Sequence, residues 1–503
     1  MKDMMDFVND MASQFDSAIA SNNRKTIIKQ IKCALTEISV HTDFIKAAYY
    51  YYIATAYSAI IPNGDKDAQD LAKKQLKYYR LSIDSFNSVP FEEQDNDFSL
   101  LKAHTLTNYA NLLKRCGRFI AAIQNYDEAI SCCPVSGMAL GNLGIQYCCY
   151  GNAVLNRDNA VYFHKAAYEA LQLALQLQDP NMDNEDRKHF SNTFAQYSEQ
   201  LVEHINECFY EDIAAPTMTK TEHKYRLCGL QNRLFLNELN DTPLQHLWIA
   251  TDDAHISSIV EDSKHPPVYF SMFNQVKQEY TYARYLIYQS IMMKERKTPY
   301  YADKGVHLTY SLDYSCYSIR LEHLKSAFTT LFNLFDRIAF LINEYFQIGI
   351  RPSDVSFSAI WDTHKGNPNT TGYVYSKPLK LQDNAALQAL HWIYYDMENQ
   401  SEISNPHLPR MRAIRHALTH RYTKVITDGV LDFHLAAELD NVAFHVTDEE
   451  LESLTMELIT TVREAMMYTL FSIRIEEARR HSDRPESFVI HFPVEKYRDS
   501  WKL

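Results

Sequence analysis

Residues 103–134 read AHTLTNYANLLKRCGRFIAAIQNYDEAISCCP. Ala103, Leu106, Tyr109, Ala110, Leu113, Gly117, Ala122, Tyr126, Ala129 and Pro134 alternate small and large apolar residues as two short interlocking antiparallel helices require. In that reading Gly117 occupies the turn, and Ala122 and Ala129 sit where the helices approach closely. Pro134 stops the second helix, because it lacks an N–H and clashes with the preceding turn. The same register recurs downstream in Leu140, Leu143, Gly144, Tyr147 and Gly151, continuing with Ala160, His164 and Ala167 after a short insertion around Asn156. A weaker copy precedes it: Ile53, Ala54 and Tyr57, then Ala72, Leu76 and Tyr79.

This spacing resembles the tetratricopeptide repeat, whose period is about 34 residues. Stacked helix pairs of that kind bury only the faces they share, so roughly three or more are needed, and the concave side is left as a binding surface. Two roles stand level on the sequence: a scaffold for the rest of the chain, or a groove for a peptide or protein. The polar run Asp179–Asp186 interrupts the pattern. We expect a helical repeat domain over residues 1–210, a linker over 211–221 and a second helical domain over 222–503.

Composition supports an all-α fold with, at most, small irregular or β insertions in the second domain. The 503 residues include only 12 Gly and 16 Pro, too few for a turn-rich β architecture. No stretch approaches the roughly 18 uncharged apolar residues of a membrane-spanning helix, and the N-terminus has acids where a signal peptide needs an apolar core. The nine cysteines are odd in number and form no CxxC pair, which fits a reducing cytoplasm.

In the second domain, Glu279–Met293, Leu321–Phe346 and Asn384–Met397 are predicted helices, the middle one with apolar residues three or four apart from Leu324 to Phe346. A further helix begins after Pro406 and Pro409, with Met411, Ile414, Leu418, Tyr422 and Val425 as its buried stripe. Val430–His434 and Val442–Val446 alternate like a short hairpin. Thr447 and Glu450 have the spacing of a capping box opening a last helix to about Arg480.

The helix after Pro409 holds the chemistry. The formal net charge is −13, which argues against general attraction to nucleic acid and leaves local basic clusters to do the attracting. From Ser404 to Ile426 there is no carboxylate, while Arg410, Arg412, Arg415, His416, His420, Arg421 and Lys424 all fall there. An arginine stays charged and a histidine titrates near neutrality, so Arg415 and His420 offer a fixed cation and a proton carrier. His416 and His420 share a face and are candidate metal ligands, but no third ligand is evident and the arginines would repel a cation. The competing reading of the cluster is a solvated basic face.

The hexad Arg415-His416-Ala417-Leu418-Thr419-His420, late in a helical bundle, resembles the motif of the HEPN superfamily. The segments Asn232–Asn237, Tyr282–Tyr285 and Phe335–Phe340 resemble a bacterial HEPN subfamily often joined to tetratricopeptide repeats, with similarity over about Thr221–His481. The resemblance implies a metal-independent endoribonuclease without cofactor, acting as a homodimer on RNA. Arg415 and His420 would be its catalytic pair and His416 the polar residue that orients them. Arg410, Arg412, Arg421 and Lys424 are candidate RNA contacts, and Asp336 a candidate support for Arg415 or His420, although a local pair with Arg337 competes. Toxin or antiphage defence is the expected setting. The alternative is a non-catalytic adaptor that binds a protein partner or nucleotide.

Cutting RNA without a metal requires the 2'-hydroxyl to lose a proton as it attacks phosphorus and the 5'-oxygen to gain one, and a histidine serves either step. A guanidinium binds the charge that builds on the non-bridging oxygens. Residues five apart on an ideal helix point about 140° from each other, so one helix cannot easily aim both groups at one phosphate. A second subunit meets that need.

Overall fold

The computed structural model describes residues 2–205, 217–256, 259, 268–309, 315–361, 379–397, 404–427, 440–482, 495 and 497–502. Residues 211–216 of the expected linker and Val430–His434 of the expected hairpin lie outside them. Among the described residues, nine helices make the N-terminal array: α1 (Lys2–Ala20), α2 (Arg24–Glu37), α3 (Asp43–Ser58), α4 (Asp65–Asn87), α5 (Asn96–Arg115), α6 (Phe119–Cys132), α7 (Gly137–Ala153), α8 (Ala160–Gln176) and α9 (Asn184–Ile205). Consecutive helices pack as hairpins: α3 on α4, α5 on α6, α7 on α8.

The α5–α6 hairpin forms as its spacing predicts. Ala103, Leu106, Ala110, Leu113, Ala122, Tyr126 and Ala129 are all fully buried, at 0 % exposure. Gly117 turns the chain at φ +77°, and the Arg118 and Gly117 N–H groups donate to the carbonyls of Leu113 and Lys114, closing α5 with a Schellman motif. Between α7 and α8 the backbones come close at Gly144, where a Cβ would sit 2.7 Å from Leu171 Cγ.

The C-terminal region contains α10 (Lys220–Gln231), α11 (Val268–Lys294), α12 (Ile319–Tyr345), α13 (Ala385–Met397), α14 (Leu408–His420) and α15 (Asp448–Ser482). Lys220 and Thr221, expected in the linker, open α10 instead, because the Thr219 hydroxyl caps it by accepting from Glu222 N at 3.2 Å. Helix α12 packs against α11, α14 and α15, and its predicted apolar stripe, Leu324, Phe328, Leu331, Phe335, Ile338 and Ile342, is buried.

Two features depart from the sequence reading. Helix α14 ends at His420, so Arg421, Tyr422, Lys424 and Val425 are not helical. Residues Thr423–Ile426 form β1, a run in which threonine, valine and isoleucine favour extended chain, and it pairs parallel with β2 (Phe444–Thr447). Val425 is buried, but on the strand, and Tyr422 is 51 % exposed. The capping box is half formed: Thr447 Oγ1 accepts from Glu450 N at 3.2 Å, while the Glu450 carboxylate turns to Arg410.

The two regions are joined by buried charges. Arg80 of α4 donates to both oxygens of Asp396 on α13, at 2.7 and 2.5 Å, and to the Ser404 carbonyl at 2.9 Å. Arg118, between α5 and α6, meets Asp396 at 2.5 Å and Glu464 on α15 at 3.1 and 2.6 Å. Ile120 N donates to Tyr468 Oη at 3.1 Å. Burial by itself would raise the Asp396 carboxyl, but Arg80 and Arg118 outweigh it and hold the group at about 2. Among the described residues no helix is long and apolar enough to cross a membrane.

Candidate active site

Helix α14 is buried along one side and exposed on another at His416, Thr419 and His420. Met411, Ile414 and Ala417, three residues apart, are at or below 1 % exposure, and they seat the helix on α12. At its start, His407 bridges Asp84 of α4 (3.0 Å) and Glu457 of α15 (2.7 Å). The bonds to Asp84 and Glu457 raise the imidazole to about 10, so it is a cation that ties the array, the motif helix and α15 together.

The basic residues of the helix have different fates. Arg410 pairs with both oxygens of Glu450, at 2.6 and 2.7 Å, and donates to the His445 carbonyl. Arg412 donates twice to the Met397 carbonyl, at 3.2 and 2.5 Å, where α13 ends. Lys424, on β1, has a side chain only 5 % exposed and meets Asp440 at 2.6 Å. These three cations are engaged within the protein, whereas Arg421 is exposed. Arg415 is different again: its Nε is buried and has no hydrogen-bond partner among the described residues. His416 and His420 are exposed, their ring centroids 5.2 Å apart. Among the described residues no group of three metal-ligating side chains forms around them or elsewhere.

Arg415 and His416 line a half-open cavity of about 300 Å³ with Arg412 and, from α12, Phe335 and Asp336. Phe357, between α12 and α13, and Tyr394 of α13 complete its aromatic wall. His420 is not among the lining residues. The structure therefore brings Arg415 and His416 to one cavity and leaves His420 on the outer surface beyond it, as the 140° separation requires. Asp336 lies in the cavity, where its Oδ1 accepts the Phe357 N–H at 2.9 Å. Its neighbour Arg337 turns instead to Glu279, at 3.7 Å.

Sequence reasoning missed the Ser356–Ser358 turn, Tyr394, the Asp84–His407–Glu457 bridge and the Arg80–Asp396–Arg118–Glu464 cluster. The last two join residues more than 300 positions apart, and no local spacing marks them.

Residues 260–476 match the family model described as LA2681-like HEPN, a span that includes α11 to α14, most of α15 and the whole Arg415–His420 hexad. Asn232–Asn237, which also carried the resemblance, precede it. No curated protein and no solved structure matches the chain. Residues 260–476, with the hexad on α14, belong to the HEPN superfamily.

Proposed function

We propose that the chain is a metal-independent endoribonuclease whose N-terminal helical array governs the HEPN site. The observation that carries this reading is the guanidinium of Arg415 at a cavity edge, its buried Nε without a partner among the described residues, beside two exposed histidines, while Arg410, Arg412 and Lys424 are held by protein acceptors. In this reading Arg415 binds the non-bridging oxygens of the scissile phosphate. His420 takes the 2'-hydroxyl proton or supplies one to the leaving 5'-oxygen. His416 is the polar residue that orients the pair. The products are a 2',3'-cyclic phosphate and a 5'-hydroxyl, and DNA, lacking the attacking hydroxyl, is inert. Because His420 stands outside the cavity that Arg415 lines, a second copy completes the site, with the two α14 ends facing across one cleft. Arg421, exposed past the helix end, is the remaining candidate for a backbone contact.

The array, read as tetratricopeptide-like, provides the control surface, and its α4 reaches the motif helix through Asp84 and His407. A nuclease held in check by an interaction module suits toxin or antiphage defence. Growth of cells expressing the chain, with and without phage, tests that setting: the double variant Arg415→Ala/His420→Ala is expected to abolish any arrest.

The direct test incubates the purified chain with mixed RNA in the presence of a chelator. Cleavage is expected in the native protein, with losses of about 10²–10⁴-fold in His420→Ala and about 10²–10³-fold in Arg415→Ala. Equal cleavage by all three proteins would overturn the assignment. No cleavage by any form, with candidate activators present, favours the adaptor.

A further inference from the structure

The cavity beside Arg415 has more in it than a phosphate site needs. At about 300 Å³ it lies at the small end of ligand sites, which span roughly 300–1,000 Å³, and has room for one heterocycle. Phe335, Phe357 and Tyr394 are 3–5 % exposed and form its apolar wall, with the Phe335 and Phe357 ring centroids 5.1 Å apart. Among these rings sits a carboxylate. Asp336 Oδ1 accepts the Phe357 N–H, which fixes the orientation of the group, and Oδ2 has no protein donor among the described residues. Each carboxylate oxygen accepts two hydrogen bonds, so Asp336 keeps acceptor capacity on both. The Ser356 and Ser358 hydroxyls, 3.1 Å apart, add further polar groups to the same lining.

We propose that this cavity binds a guanine base of the RNA, with Asp336 as the residue that reads it. The proposal rests on the reading of Arg415 as the phosphate-binding group, since one nucleotide then spans the two. Aromatic walls stack on any base, so the choice falls to the carboxylate. Guanine presents its ring N1–H and exocyclic amine side by side, two donors for two carboxylate oxygens. Adenine and cytosine set one amine beside a ring-nitrogen acceptor, and uracil sets its N–H between two carbonyls. In each of those a lone pair faces Asp336. Asp336 is a specificity-determining residue here, distinct from the groups that move protons.

Full-length His420→Ala protein is titrated calorimetrically with GMP, AMP, CMP and UMP, and the cleavage sites of the native protein are mapped on mixed RNA. GMP is expected to bind about 10- to 100-fold more tightly than the others, the discrimination of one good bidentate pair. Asp336→Asn retains an acceptor for the Phe357 N–H but places an NH₂ group where Oδ2 was, and is expected to abolish the preference. Should that variant melt early, saturation-transfer NMR on the His420→Ala protein reads the same point: magnetisation must pass from aromatic protons to guanine H8. Equal binding of all four nucleotides, a preference unchanged in Asp336→Asn, or no transfer overturns the proposal. Arg415-dependent cleavage without base preference leaves the nuclease reading standing. GMP binding that depends on Asp336, in a protein that cuts no RNA, keeps the guanine site and removes the nuclease.

Discussion

Arg415 and Arg412 are three residues apart on one helix and have unlike surroundings. Arg412 is held by the Met397 carbonyl, while Arg415 Nε has no partner among the described residues. A lysine at 415 keeps the charge but not the planar fork that binds two phosphate oxygens. Arg415→Lys is therefore expected to lose about 10²-fold or more in the initial rate of RNA cleavage. Rates equal to the native protein would show that charge alone suffices. The histidines separate by position, His416 at the cavity and His420 beyond it. His420→Ala should reduce cleavage more than His416→Ala, and the opposite order would exchange their roles.

Elements place these groups through their ends. The first-to-second-region contact leaves no space at the α5–α6 turn, because a Cβ on Gly117 would lie 3.1 Å from the Ala385 carbonyl at the start of α13. Gly117→Ala also forces a side chain to φ +77°, at about 1–2 kcal/mol. Thr447→Ala removes the cap of α15 and should cost about 1 kcal/mol. Both are read from urea denaturation midpoints. The hairpin spacing of 103–134 and the stripe of α12 are legible in sequence because each is set by contacts between near neighbours. The end of α14 is not. Leu418, Tyr422 and Val425 continue a helical period, and only pairing with Phe444–Thr447 draws 423–426 into a strand.

At the scale of the whole molecule, a buried cluster of charges joins the two regions. Arg118 is buried between two carboxylates, Asp396 and Glu464, and removing one side of such a cluster strands the other in a medium that solvates it poorly. Arg118→Ala is expected to destabilise by about 3–5 kcal/mol, observed as a shift of the thermal midpoint. His407 adds a pH dependence. Its group is raised in the folded state, so its contribution is complete below the unfolded value of about 6.5 and is lost as pH rises through about 10. Its side chain is 37 % exposed, so solvent screens the effect. Asp396 has the reverse sign: its contribution holds above the ordinary carboxylate value and fades as pH falls toward about 2. Urea midpoints from pH 7 to 10 should fall less steeply in His407→Gln than in the native chain. Parallel slopes would assign the alkaline loss elsewhere.

Helical architecture, hairpin register and the basic hexad were determined by the sequence alone, since each depends on residue type at short spacing. Which cations are held by protein acceptors, and which keeps a buried Nε without a partner among the described residues, was decided only in three dimensions. Arg410, Arg412, Arg415 and Lys424 are alike in sequence. Glu450, Met397 and Asp440 distinguish them because the acceptor a side chain meets depends on how distant segments pack, and the same packing brings Asp336, Phe357 and Tyr394 to one cavity.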